Sequence, residues 1–247
     1  MHLETSGPAG ARPLLLLHGG GVAGWMWDPL RAHLPADRRA LVPDLPGHGR
    51  SADAPYVSHR ETVEALARIL ESVDQPATVV GFSLGAQLAV MLAAERPDLV
   101  ERVVVVSAQA VPMRAVGPTL ALLGATAGLA RREWFARLQA RELFVPEEHL
   151  ADYVQTSATI SRQTLLAAVE ENLRFVPPAS WSAFPGSALI LVGAREKKLM
   201  ARSATVLHAL LPHSELDVVD GCGHGIPLQR PDLLARRIEA MPGPGTV

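Results

Sequence analysis

Gly81-Phe82-Ser83-Leu84-Gly85 decides the reading of this chain. The apolar run Ala77-Thr78-Val79-Val80 precedes it and reads as a buried strand. A helical stretch, Ala86 to Glu95, follows and continues to Pro97. Strand, Gly-x-Ser-x-Gly, helix is the arrangement that throws a serine out of a sheet edge on a sharp turn. Glycines two residues on either side leave room for the chain to double back. The amides at the start of the next helix point at any negative charge that forms near the serine.

Outward from this turn, strands and helices alternate. Leu14 to Leu17 reads as a strand that runs into His18-Gly19-Gly20-Gly21, and Gly24 to Leu34 has mixed helical spacing. Ala40-Leu41-Val42 is the next strand and ends in Pro43-Asp44-Leu45-Pro46-Gly47-His48-Gly49-Arg50-Ser51. Ser58 and Glu61 form a capping box for a helix with Val63, Leu66, Leu70 and Val73 on one face. Arg102 to Val106 is a further strand. Between Ala108 and Gly186 the pattern changes to helices alone, Thr119–Ala130, Arg132–Leu143, Glu147–Thr159 and Gln163–Arg174, broken at Pro146 and Pro177-Pro178. Alternation resumes with a strand at Ala188–Val192, a helix at Met200–Leu210, a strand at Glu215–Val219 and a last helix from Pro231 to Met241. The expected fold class is α/β, a mostly parallel sheet with helices on both faces. Residues 1–107 and 187–247 form the core, and 108–186 form a helical cap over the strands' carboxyl ends, where open α/β sheets place their sites.

A serine raised in this way requires a base and an orienting acid, in the chain order Ser, acid, His. His224, in Gly221-Cys222-Gly223-His224-Gly225 after the last strand, is the candidate base. Glu196 follows strand Ala188–Val192 and is the candidate acid, although it stands in a charged run, Arg195-Glu196-Lys197-Lys198, of the kind that commonly lies on a solvated surface. Asp220 is a rival acid, awkwardly placed four residues before His224. Residues 108–110, Ala-Gln-Ala, supply none. The backbone amides of Leu84 and Gly20, assisted by Gly21, are candidate donors to a developing oxyanion. His18 reads as a support for that glycine loop. Trp25, Met113, Trp134, Phe135, Phe144 and Trp181 are candidates to line an apolar pocket beneath the cap. The run Leu120–Leu129 reads as a buried cap helix rather than one in contact with lipid.

Together these pieces resemble the α/β-hydrolase fold family. His18–Gly21 with Trp25 and Trp27, the Pro43–Ser51 loop, Gly81–Gly85, and Gly223-His224 with Pro227 and Arg230-Pro231 carry the resemblance, which spans residues 14 to about 240. It implies a serine hydrolase, carboxylesterase-like, that cleaves a small or moderately hydrophobic ester or a related acyl or carbon–carbon bond. It also implies a structural role for the Asp44–Ser51 loop. The family usually has Asp where Glu196 stands. A ligand sensor with little turnover is the alternative on the same scaffold, because fold does not dictate function.

Length and composition agree with one large α/β domain, or one domain carrying an insertion. The chain has 247 residues, 48% hydrophobic, with a formal net charge of −2. That balance gives no reason to expect nucleic acid. Cys222 is the single cysteine, so no internal disulfide is expected. Met1-His2-Leu3-Glu4 lacks the basic and apolar regions of a signal peptide, and a cytoplasmic protein without stable membrane association is expected. Gly19-x-Gly21-x-x-Gly24 with Asp44 has the layout of a dinucleotide fingerprint, but that reading leaves Ser83 and His224 without a use. The nine histidines contain no His-Glu-x-x-His. No cofactor and no metal are expected, and the partner is a small-molecule substrate.

Overall fold

The computed structural model describes residues 1–128 and 132–242. Seven strands form one sheet: β1 (Leu3–Ser6), β2 (Arg12–Leu17), β3 (Arg38–Pro43), β4 (Ala77–Phe82), β5 (Val100–Val106), β6 (Ser187–Gly193) and β7 (Glu215–Val219). Their order is β1-β3-β2-β4-β5-β6-β7. Only β1 runs antiparallel to its neighbour, with Leu3 opposite Pro43. The other pairs are parallel, as between β2 and β4, where Leu14 lies opposite Thr78.

The central strands are apolar on both faces because both faces are covered. Along β2, Leu14 to Leu17 are all fully buried. Leu15 and Leu17 turn toward α2 (His59–Glu71), α3 (Leu84–Glu95) and α8 (Lys198–Leu210). Leu14 and Leu16 turn toward Trp27, α1 (Asp28–Arg31) and α10 (Pro231–Ala240). A short α9 (Ile226–Gln229) precedes α10. The period-2 alternation of a strand thus divides one run of leucines between two cores.

Side-chain caps start two of the helices, α2 and the later Arg162–Arg174. Ser58 Oγ accepts from the Glu61 amide at 3.1 Å and starts α2. The stretch Gly24 to Leu34 is less regular than its spacing suggests, a 3-10 turn at Gly24–Trp27 followed by the one-turn α1.

Between β5 and β6 the described residues contain helices and no strand: α4 (Val116–Thr126), α5 (Glu133–Glu142), α6 (Leu150–Thr159) and α7 (Arg162–Arg174). The third stretch expected to be helical, Glu147–Thr159, divides into a 3-10 turn at Glu147–His149 and α6. The run read as a buried helix, Leu120–Leu129, belongs as far as Thr126 to α4, and α4 buries only Val116; Leu122 is 68% exposed. Leu129 and Ala130 lie outside the described residues.

Candidate active site

The carboxyl ends of β4, β5, β6 and β7, four neighbours in the sheet, carry the candidate residues. Ser83 follows β4 directly, with φ 53° and ψ −110°. That conformation is strained for a residue with a side chain, and the surroundings hold it in place. The Ser83 amide donates to the Val106 carbonyl at 2.9 Å, which continues the β4–β5 pairing past the strand end. The flanking glycines are required by close approach. A Cβ at Gly81 would lie 2.2 Å from the Gly85 carbonyl oxygen, and one at Gly85 would lie 2.2 Å from that of Leu17. No side chain fits at either point.

His224 reaches across from the loop after β7. Its Nε2 is 3.1 Å from Ser83 Oγ, and its Nδ1 is 2.8 Å from Glu196 Oε2. A carboxylate can only accept, so the neutral ring carries its proton on Nδ1 and turns the Nε2 lone pair to the serine hydroxyl. The Glu196 side chain is 2% exposed, while that of His224 is about one-third exposed. Burial pushes the Glu196 carboxyl up, but hydrogen bonds from His224, Ser107 and the Gly193 amide outweigh it and hold the pKa below its ordinary value. Ser107 Oγ donates to Glu196 Oε1 at 2.5 Å and the Gly193 amide to the same oxygen at 3.0 Å. Glu196 therefore leaves the solvated charge run in which it stands in the sequence. The rival Asp220 is exposed and makes no hydrogen bond to His224.

Ser107 carries no signal in its local sequence. It follows the last residue of β5, directly before the Ala108-Gln109-Ala110 segment, and has φ 55°. Its amide donates to Leu191 at 2.9 Å, which turns its hydroxyl toward the loop after β6.

The glycine loop after β2 lies beside the serine. Gly20, Gly21 and Leu84 line the same cavity as Ser83. Leu84 is the first residue of α3, so its amide has no acceptor within the helix. His18 is fully buried. The Leu45 amide donates to its Nε2 at 2.8 Å, and its Nδ1–H donates to the Gly19 carbonyl at 2.8 Å. Burial first, then the neighbouring His48, lowers its pKa to about 3, so the ring is a neutral brace between two loops. Asp44 accepts from the Gly24 amide and from both the amide and Nε of Arg50 at 2.8–2.9 Å. A carboxylate engaged in this way is a loop staple and is not presented to a ribose.

The cavity has a volume of about 820 Å³ and extends from Ser83 between α4, α5, α6 and α7. Leu123, Phe135, Leu143, Tyr153, Leu165 and Val169 supply much of its apolar wall, with Glu142, Arg162 and Lys197 also on its lining. Of the six aromatic and methionine candidates, Phe135 lies on this wall. Trp181 does not: it is fully buried in the core, stacked on Phe184 at 5.9 Å, with its Nε1–H donated to the Leu207 carbonyl. Trp25 lines a separate cleft of about 330 Å³, where its Nε1–H donates to Thr156 Oγ1 at 3.1 Å. Met113 and Trp134 are exposed and off the cavity wall, and Trp134 packs edge-on against Phe135. Phe144 has φ 58° and lies against the His224 loop, its ring 3.0 Å from where a Gly223 Cβ would be. Tyr153, Leu165 and Val169 escape sequence reading because a helix in a bundle buries more than one face, and spacing cannot say which face meets a cavity.

Cys222 is buried, and burial raises its thiol pKa. Among the described residues no helix is long and apolar enough to cross a membrane.

The parallel sheet, the raised serine and its histidine and glutamate define one class. The sequence matches the Alpha/beta hydrolase family over residues 14–237, and the chain belongs to that family. It is similar to Lipase LipV of Mycobacterium tuberculosis, 31% identical over 99% of this chain and 98% of that protein. It is also similar to the pimeloyl-[acyl-carrier protein] methyl ester esterase of Aromatoleum aromaticum, 29% identical over 92% of this chain and 96% of that protein. An esterase from Exiguobacterium antarcticum shares the fold, with a TM-score of 0.81 at 18% identity, covering 97% of this chain and 95% of that one.

Proposed function

We propose that this chain is a serine hydrolase that cleaves moderately hydrophobic esters through an acyl-enzyme on Ser83. The observation that carries the reading is the continuous hydrogen-bond chain Ser83 Oγ–His224–Glu196 opening on the cavity. In the first half-reaction His224 Nε2 takes the serine proton as Oγ attacks the ester carbonyl. The Leu84 and Gly20 amides receive the negative charge on the carbonyl oxygen. Collapse of that intermediate expels the alcohol, which takes the proton from His224. Water then repeats the sequence on the acyl-enzyme and releases the acid. Glu196 holds the tautomer and stabilises the imidazolium throughout.

Helices α4 to α7 act as the cap, and the cavity between them and Ser83 is of the size that takes a small-molecule ligand. Its apolar lining favours a hydrocarbon acyl chain. Relatives named as a lipase and as methyl ester esterases support an ester rather than an amide. The 2.8 Å contact of Glu196 with His224 favours turnover over ligand sensing, which would be expected of a site whose acid failed to reach its histidine.

Fluorophosphonate labelling with mass mapping tests the reading. A single adduct on Ser83, its loss in Ser83→Ala, and loss of p-nitrophenyl ester hydrolysis in the same variant are expected. A folded Ser83→Ala protein that retains ester turnover would overturn it.

A further inference from the structure

Gln87 lies one turn beyond Ser83 on α3 and is fully buried. The reaction proposed above gives it no part. A buried primary amide is costly unless every polar atom is satisfied, and here the satisfaction is directional. Its Nε2 donates to the Gln109 carbonyl at 2.7 Å and to the Asn172 carbonyl at 3.2 Å. Two carbonyl acceptors identify the nitrogen end of the amide, so Oε1 accepts from His59 Nε2–H at 2.9 Å. His59 Nδ1 then accepts from the Tyr56 hydroxyl at 2.8 Å, and burial, the largest influence on the ring, disfavours its charged form. The His59 amide donates to Glu171 Oε2 at 2.8 Å.

One side chain on the helix that carries Ser83 thus ties together the start of α2, the segment after β5 and the last turn of α7. Helix α7 is a wall of the cavity, through Leu165, Ala168, Val169 and Asn172, while Ser83 and Leu84 lie on the lining at the start of α3. The bond from Gln87 to Asn172 runs directly between these two elements. An apolar side chain would fill the same space but could not fix the separation, because packing is not directional as a hydrogen bond is.

We propose that Gln87 is a specificity-determining positioning residue that holds α7 at a set distance from Ser83 and so sets how long an acyl chain the cavity accepts. The inference rests on the ester-hydrolase reading above. The test measures kcat and KM of Gln87→Met and Gln87→Glu on p-nitrophenyl esters of graded acyl length, with fluorophosphonate labelling of Ser83 alongside. Methionine removes all three bonds, whereas glutamate keeps the acceptor for His59 and offers the two carbonyls at most one O–H in place of the amide's two N–H donors.

In both variants KM for the longest ester that wild type prefers should rise about tenfold, roughly what loss of one directional bond gives. Turnover of the acetate ester and the labelling rate should stay within about threefold of wild type, since a threefold change is well under 1 kcal/mol. An unchanged acyl preference in a folded variant overturns the proposal. Equal loss of kcat on every ester also overturns it and makes Gln87 a support for Ser83. If methionine prevents folding, Gln87→Glu decides; if neither variant folds, Gln87 is a core support and the proposal falls. Wild-type protein that takes no label would instead sink the hydrolase reading on which it rests.

Discussion

Ser83 stands 141 residues before His224 and Glu196 only 28 before it, and each interaction among the three has a separable consequence. Glu196→Gln keeps the shape but offers an amide where a carboxylate received the Nδ1 proton, so the ring is free to adopt the wrong tautomer. Turnover should fall about 10³- to 10⁴-fold, as for an orienting acid elsewhere, with little change in KM. A steady-state rate within tenfold of wild type would move the acid elsewhere. Ser107→Ala removes one of three donors to that carboxylate. The Glu196 pKa should rise, and the rate should drop a few-fold, of the order of one charge-assisted hydrogen bond at most. An NMR titration of the variant in which the Glu196 carboxyl pKa does not rise would count against that coupling. Glu196 was legible in the sequence only as a position after a strand. Its burial at 2% was not, because a charged run looks the same whether one member turns inward or all face water.

At the scale of elements, the sheet puts β4, β5, β6 and β7 side by side, and the loop after β7 must pass over two intervening strand ends to meet Ser83. The helical segment between β5 and β6 constrains that loop. A Cβ at Gly225 would sit 2.2 Å from the Leu143 carbonyl oxygen, at the end of α5. Gly225→Ala should therefore displace either the α5 end or the loop. The expected result is a loss of turnover of at least tenfold together with a lowered melting temperature, since overpacking costs about 1–3 kcal/mol. Calorimetry and ester kinetics on the variant check this; wild-type values in both would mean that the contact is dispensable. The central strands were legible as short, continuous apolar runs bounded by turn residues, and α2 by its apolar face at helical spacing and its capping serine. The exposure of α4 was not. A helix apolar on every side normally reads as buried, and the run Leu120 to Thr126 has no polar face from which an orientation could be read.

Across the whole molecule, buried histidines brace the loops around the site. His18, His48 and His59 all have pKa values lowered first by burial. Each is neutral when folded and takes a proton more readily when unfolded. The unfolded chain then binds more protons below the ordinary value of 6.5, so stability is lost as pH falls through that value. For His18 the loss continues down to about pH 3. Urea unfolding between these limits should show a free energy that declines with acid. His18→Gln, which keeps a donor and an acceptor, should flatten the slope by up to about 1.4 kcal/mol per pH unit. An unchanged slope would mean that His18 does not carry that proton.

Local order explains how much could be read before the chain was folded. The α/β architecture, the turn at Ser83 and the candidates His224 and Glu196 all depend on residues adjacent in sequence: apolar periodicity, glycines that permit close backbone approach, and a fixed order of chemical groups along the chain. Close packing explains the rest. Ser107 beneath Glu196, Trp181 in the core rather than on the cavity, Trp25 on a second cleft and Gln87 beneath the cavity wall depend on which elements come to lie against one another. A side chain's environment is set by neighbours distant in sequence, and no local pattern records them.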